Sequence, residues 1–600
     1  MLPMTKAAQA LQALVLLLPA VLAMPALNLA TTELEPRNNP TLASHGHKYS
    51  LNELWGIVEK GSPVEYATEQ TVRQGPFEFD VPESPSSFPY LTTEPTGSSK
   101  LSLNSSTAGL KFPKGFKYGV ASAAAQVEGA VKADGRGPSI WDYTAHQFPA
   151  SIADGTTLDV TDNFRYLYKY DTARIAAMGV NAHSISISWS RVLPLGTMES
   201  ISHDALEYYD DLIGTTVAAG IEPVVTLFHW DVPLALELEY GSYRSEQIVG
   251  HFTAYAELAF RRWGSKVKTW VTHNEPGVFC PRYENTLPLN ATNPTNWSEQ
   301  ESRYRCTYHL LKAHGSAVKV FRQLQSDGTI PADHEVGLKL DNSYPLPYDG
   351  ENQDDVDNAA RAEAFNVGIY AEPIYGSGDW PEIVKQAVPA WMLPNITAED
   401  TALIRGSADY FALDGYDVRI TKALDEGEYA RCKANSSDTN WPVCADTSRL
   451  AYSQSFKNGW TLGQQADPRA PWLYNSAGAL RWYGKLIHER YPAPKYYLSE
   501  FGFAEPGESN KTELHQLRQD SARTAYLQDY LDQILLSIHL DGVPWAGIFA
   551  WSFLDNFEWY EGKRLRFGMQ FVNFTSPRLE RHYKRSFLEL RDYMQMRLDL

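Results

Sequence analysis

The chain has 600 residues, a formal net charge of −19 at pH 7 and no block of lysine or arginine. That balance excludes the positive footprint expected of a nucleic-acid partner and suits a neutral polar substrate better than a polyanion. Its 16 tryptophans and 34 tyrosines are flat amphipathic rings, useful in a large core and as walls for a polar ligand with apolar faces.

The amino terminus reads as a targeting segment. Lys6 precedes ALQALVLLLPAVLA (10–23), an apolar run that ends in small residues and falls short of the ~20 residues that cross a bilayer. A secretory signal over 1–23, removed near Ala23, is expected, with an extracellular product and no transmembrane segment in the mature chain. Residues 24–110 form an extension or linker. PESPSSFPYLTTEPTGSSKLSLNSSTAG (82–109) is dense in Pro, Ser and Thr, while LNELWGIVEKG (51–61) suggests a short helix docked on the main body.

From 111 to 600 the texture is globular. FKYGVASA (116–123) predicts a first strand, and YLYKYDTARIAAMG (166–179) a helix stopped by glycine before the alternating strand NAHSISISWS (181–190). DALEYYDDLIGTTVAAG leads to the strand IEPVVTLFHW (221–230), and the amphipathic RSEQIVGHFTAYAELAFRRWG (244–264) to KVKTWVTHNEP. EVGLKLDN (335–342), SADYFALDGY (407–416), PKYYLSEFG (494–502) and VPWAGIFAWSFLDN (543–556) complete eight strand candidates, most of them preceded by helical segments. This α/β pattern predicts a (β/α)8 TIM barrel with loop insertions and an N-terminal extension. A doubly wound sheet is the structural alternative, disfavoured because no Gly-rich dinucleotide loop follows a strand.

Sequons at Asn104, Asn290, Asn296, Asn395, Asn435, Asn510 and Asn573 fit a glycosylated surface. The four cysteines allow three connectivities, of which the two local pairs, Cys280 with Cys306 and Cys432 with Cys444, are the most economical. Nothing in the sequence marks an oligomeric state.

Glu275 and Glu500 stand at the carboxyl ends of the fourth and seventh predicted strands, which converge on one mouth in a barrel. Two such acids can break a glycosidic bond: one protonates the leaving oxygen, and the other attacks the anomeric carbon or activates water. Direct attack needs a separation of ~5–5.5 Å, and an intervening water ~6.5–9.5 Å. Other strand ends bring Gln126, His229, Trp230, Trp551, Glu558 and Trp559, a polar-plus-indole lining suited to hydroxyl-dense rings. Each of these residues alone would fit core packing or an ordinary surface role equally well. Their joint placement favours a sugar.

In chain order FKYGVASAAAQVEG, PSIWD, SISWSRVLPLG, TLFHWDVP, TWVTHNEP, SEFG, WSFLDNFEW and RFG resemble family 1 glycoside hydrolases, the β-glucosidase family, over about 112–588. The resemblance is to a secreted fungal-type member. It implies a barrel enzyme, with neither metal nor organic cofactor, that hydrolyses β-linked glycosides with retention. The expected substrates are β-glucosides and short β-linked oligosaccharides such as cellobiose, losing a terminal non-reducing β-D-glucosyl residue. By resemblance, Glu275 is the general acid/base and Glu500 the nucleophile. Gln126, His229, Asn274, Glu558 and Trp559 match hydroxyl-binding positions, Trp551 the ring-stacking indole, and Tyr416 the tyrosine that orients the nucleophile. Trp230 and Phe567, the latter in RFG, complete the substrate-binding set. Glu275 disfavours the related plant activity on sulfur-linked glucosides, which lacks this acid.

Three positions depart from the family pattern. His183 and Ser184 replace Tyr-Arg in YRFSISWSR, so the arginine that contacts the nucleophile is missing; Asp414 replaces an asparagine, and Phe501 the asparagine after the nucleophile. Arg419 is a candidate substitute for the lost cation. Without a substitute, a catalytically impaired carbohydrate-binding protein is the competing expectation; transglycosylation is another outcome compatible with a covalent intermediate.

Overall fold

The computed structural model describes residues 48–65, 107, 109–283, 297–341, 344–416, 418–445, 456–459 and 461–598. The expected signal, most of the 24–110 extension and the sequons at Asn104, Asn290 and Asn296 lie outside them. So does most of the segment between Cys280 and Cys306 that precedes Trp297.

All eight expected strands form. They are β1 (Lys117–Ala121), β2 (Ala182–Ser186), β3 (Glu222–Phe228), β4 (Thr269–Asn274), β5 (Glu335–Asp341), β6 (Phe411–Asp414), β7 (Tyr496–Phe501) and β8 (Trp545–Trp551). Each pairs in parallel with its sequence neighbours, and β1 closes on β8 with Lys117 opposite Gly547. Closure rules out the open doubly wound sheet. Gly119 on β1 is required by this packing, because a Cβ there would lie 2.5 Å from the Phe549 ring.

Helices cover the outside. The helix Gln247–Trp263 buries Ile248, Phe252, Tyr255 and Ala259, the i, i+4, i+7 stripe that turns one face to a core. Trp189, Trp263 and Trp270 are buried structural residues, so part of the tryptophan content serves packing alone. Lys117, Glu222, Glu335, Lys495 and Tyr497 form a charged layer at the amino-terminal ends of the strands. Burial alone would raise the Glu335 pKa, but Lys117, Lys495 and Tyr497 outweigh it and hold the carboxyl at about 2.

The short helix expected in the extension is present at Leu51–Val58, with a Ser50–Glu53 capping box and buried Leu54, Trp55 and Val58. Trp55 donates its indole N–H to the Arg136 carbonyl at 3.0 Å, and the Gln147 amide donates to Ile57 and Val58 carbonyls at 2.7 and 2.8 Å. The two cysteine pairs are bonded as expected, Cys280–Cys306 and Cys432–Cys444. Among the described residues no helix is long and apolar enough to cross a membrane.

Candidate active site

Strand ends β4 and β7 bring the two acids together. Glu275 directly follows β4 in a left-handed conformation (φ 42°), which turns its side chain out of the strand direction, and its N–H donates to the Lys339 carbonyl at 3.0 Å. Such a φ is uncommon outside glycine and recurs at functional positions. One carboxylate oxygen each of Glu275, Asp414 and Glu500 lies within 4.8 Å of the others.

Both oxygens of Glu500 are held. The Tyr416 hydroxyl donates to Oε2 at 2.9 Å, and the Lys339 ammonium donates to Oε1 at 2.9 Å. Burial lowers the lysine's pKa, but Glu500 and Asp414 outweigh burial and leave it raised, so the ammonium is charged. Glu275 is the opposite case. Burial first, then Asp414 and Glu500, push its pKa well above the carboxylate range against the pull of Lys339. One carboxyl is therefore kept protonated beside another that is ion-paired, the division of labour an acid and a nucleophile require.

Around this pair stand acceptors with no hydrogen-bond partner among the described residues: Gln126 Oε1, Asn274 Oδ1 and Glu558 Oε2. Gln126 is fixed by donating its amide to the Phe557 carbonyl at 2.9 Å. The Asn274 amide lies 3.4 Å from both Glu275 Oε2 and His229 Nε2. Glu558 keeps an edge open at the mouth, yet burial of its carboxyl raises its pKa to about 8 against the hydrogen bonds of Trp551 and Gln126. A buried acceptor without a donor is costly, and polyol hydroxyls supply donors at such spacing.

Indoles form the wall. His229 stacks on Trp551 and Trp559 with ring centroids 5.8 and 5.9 Å apart. Trp230 packs on Trp559 and donates its N–H to the Asn274 carbonyl at 2.9 Å, so it braces two site residues from behind. Trp141, which the sequence did not single out, backs Trp559 from the other side at 4.6 Å. Phe567 packs edge-on against Tyr416. All eleven residues expected at the site thus fall on the strand ends and following loops around one mouth, Gln126 after β1 and Phe567 beyond β8.

The departures resolve differently from expectation. Arg419 lies on the segment Val418–Thr421, paired with Tyr344–Pro347, and its charge acts on Asp341. It does not compensate for the lost arginine; Lys339 contacts Glu500 instead. Nor does His183 supply charge, since burial drives its pKa to about 3. Asp414 accepts from Ser499 at 2.7 Å, and burial together with Glu500 pushes its pKa well up. Phe501 is buried and stacks on Tyr526 and Tyr530, whose hydroxyls donate to the Tyr416 carbonyl at 3.0 and 2.7 Å. The asparagine's place is therefore taken by a core residue. Lys339 was not among the expected site residues; its signal lies in EVGLKLD, where alternation puts Glu335, Gly337, Lys339 and Asp341 on one face of β5.

Known proteins agree with this geometry. The chain is 35% identical over 491 residues to raucaffricine-O-β-D-glucosidase of Rauvolfia serpentina, covering 77% of this chain and 87% of that one. The structure of a β-glucosidase from Trichoderma harzianum matches with a TM-score of 0.74 at 30% identity, covering 82% of this chain and all of the other. A rice β-glucosidase mutant in a covalent complex with glucose matches with a TM-score of 0.71 at 32% identity, covering 80% and 99%. The relatives are plant as well as fungal, so the fungal-type expectation is not upheld as a narrower placement. The model of glycosyl hydrolase family 1 matches residues 109–596, which span the closed barrel, both acids and the indole wall, and the chain belongs to that family of enzymes, retaining glycosidases that act on β-glucosides.

Proposed function

We propose that the protein releases terminal β-D-glucosyl residues from the non-reducing ends of β-glucosides and short oligosaccharides such as cellobiose, with Glu275 as acid/base and Glu500 as nucleophile. The observation that supports this is the pair itself: an oxygen of Glu275 and one of Glu500 lie within 4.8 Å of each other, which fits the ~5–5.5 Å carboxyl separation of direct attack better than the ~6.5–9.5 Å of an inverting pair.

In the first step a Glu500 oxygen bonds to the anomeric carbon as the bond to the leaving oxygen breaks, and that oxygen takes the Glu275 proton. In the second, water gives a proton to Glu275 and its oxygen to the anomeric carbon, and the Glu500 bond breaks to restore the carboxylate. Gln126, Asn274 and Glu558 accept from glucose hydroxyls, the Trp559 indole N–H donates to one, Trp551 covers an apolar ring face, and Tyr416 fixes the attacking carboxylate. The lysine bound to Glu500 answers the missing arginine at Ser184, the first of the three departures, with Asp414 and Phe501, that favoured a catalytically impaired binding protein.

The test is product analysis with cellobiose and a panel of aryl β-glycosides, following the anomer first released by NMR. β-Glucose as first product and loss of turnover in Glu500→Ala are expected; first release of α-glucose would overturn the mechanism. Secretion belongs to the same proposal, supported by the leader composition and by exposed Asn395, Asn435 and Asn510. Amino-terminal sequencing and deglycosylation of protein recovered from the medium check it.

A further inference from the structure

Resting on the β-glucosidase reading above, we infer that Lys339 is the positioning residue for the nucleophile, and that β5 has taken over a cationic role the family pattern places on β2. Four observations converge. Ser184, at the position of the expected arginine, is buried and carries no charge. Ser184 and Lys339 line one small cavity inside the barrel with Ser499 and Phe549, so the short side chain leaves room where the long one reaches across. The ammonium ends 2.9 Å from Glu500 Oε1. Neither other candidate substitutes, because Arg419 acts on Asp341 and His183 is neutral.

The physical role follows from where charge changes. Glu500 loses its negative charge when it bonds to the anomeric carbon and regains it when the glycosyl group leaves. A fixed ammonium steadies the carboxylate before attack and improves it as a leaving group afterwards. It also helps to orient the carboxylate. Tyr416 and Lys339 each hold one oxygen, so the carboxylate is oriented by two donors, one on β5 and one in the loop after β6. An ammonium is a point charge with rotatable donors, whereas guanidinium is a rigid fork. The exchange therefore replaces a fork that can bond bidentately by a single point-charge donor, beside the Tyr416 bond that the family pattern already has.

The experiment is an exchange of the two positions. Lys339→Thr should lower kcat/KM for an aryl β-glucoside about 10- to 100-fold, the range for losing a hydrogen bond to a charged group. The acid limb of the pH profile should move upward, because the cation favouring the carboxylate is gone. Adding Ser184→Arg to Lys339→Thr should recover at least tenfold of the loss and return the acid limb toward wild type. A Lys339→Thr enzyme with unchanged kcat/KM and pH profile would overturn the inference. So would a loss with an unmoved acid limb and no recovery in the folded double variant, which marks a merely structural lysine. If Lys339→Thr alone fails to fold, the double variant decides: folded and active supports the exchange, folded and inactive refutes it. If the wild-type protein turns over no β-glucoside, the functional reading fails by itself. The inference is then decided by the carboxyl carbon of Glu500 in ¹³C-labelled protein, assigned with Glu500→Gln. Its titration midpoint should lie higher in Lys339→Thr, and an unmoved midpoint refutes it.

Discussion

Tyr416→Phe isolates one of the two bonds that hold the nucleophile. The hydroxyl donates to Glu500 Oε2 at 2.9 Å, whereas the ring is kept in place independently. Its carbonyl accepts from Tyr526 and Tyr530, and its edges meet Trp472 and Phe567. Removing the oxygen therefore removes a bond and leaves the scaffold. A hydrogen bond to a charged group contributes about 1.5–3 kcal/mol, and each 1.36 kcal/mol in a barrier is tenfold in rate. Because Lys339 still holds Oε1, the lower half of that range applies, and kcat/KM should fall about 10- to 45-fold. The sign on pH follows from the bond's preference for the ionised carboxylate: without it the acid limb moves to higher pH. Steady-state kinetics on an aryl β-glucoside across the acid range, beside a thermal melt, measure both. Wild-type kcat/KM with an unmoved acid limb in a folded Tyr416→Phe protein would refute the assignment of Tyr416 as the second holder of Glu500.

Three further outcomes are expected. Glu275→Gln should slow glycosides with poor leaving groups about 10²- to 10⁴-fold while sparing the glycosylation step for dinitrophenyl glucosides, and azide should be captured as the β-glucosyl adduct; NMR of that adduct reports the configuration. Glu335, held at about 2 in the folded protein against an ordinary 4.5, contributes about 3 kcal/mol of stability above pH 4.5, lost as pH falls toward 2. Denaturant titrations of wild type and Glu335→Gln should therefore differ most near neutrality and converge only at about pH 2 and below. Replacing Cys280 and Cys306 by serine opens a crosslink spanning 26 residues and should cost about 3–4 kcal/mol in the same assay. A change below 1 kcal/mol would show that the helix Glu299–Ser326 anchors that segment unaided.

The barrel was legible because each strand is a short apolar run bounded by turn residues, and helical spacing fills the intervals. The two acids were legible because they end such runs, and parallel closure converts strand order into spatial order. Lys339 was not singled out, because a lysine inside EVGLKLD looks like a solvated charge until closure turns that face inward. Arg419, a candidate substitute because it lies near the motif in sequence, stands instead on a loop strand where its charge acts on Asp341. Trp141 escaped notice for a similar reason: it lies on the helix Ile140–Gln147, far from any strand end, and reaches the mouth only through Trp559. Proximity along the chain is a poor guide where β1 and β8 are neighbours.

The docked helix Leu51–Val58 bears on where this polypeptide can be cut. An expression boundary drawn at the first family motif, near residue 112, would discard it. Leu54, Trp55 and Val58 would no longer cover the surface they now shield, and the Gln147 amide would lose its acceptors. Gln147 ends the same helix that carries Trp141 against Trp559. A trimmed protein would thus be weakened behind the indole wall of the candidate site, and recombinant versions are best begun upstream of Lys48.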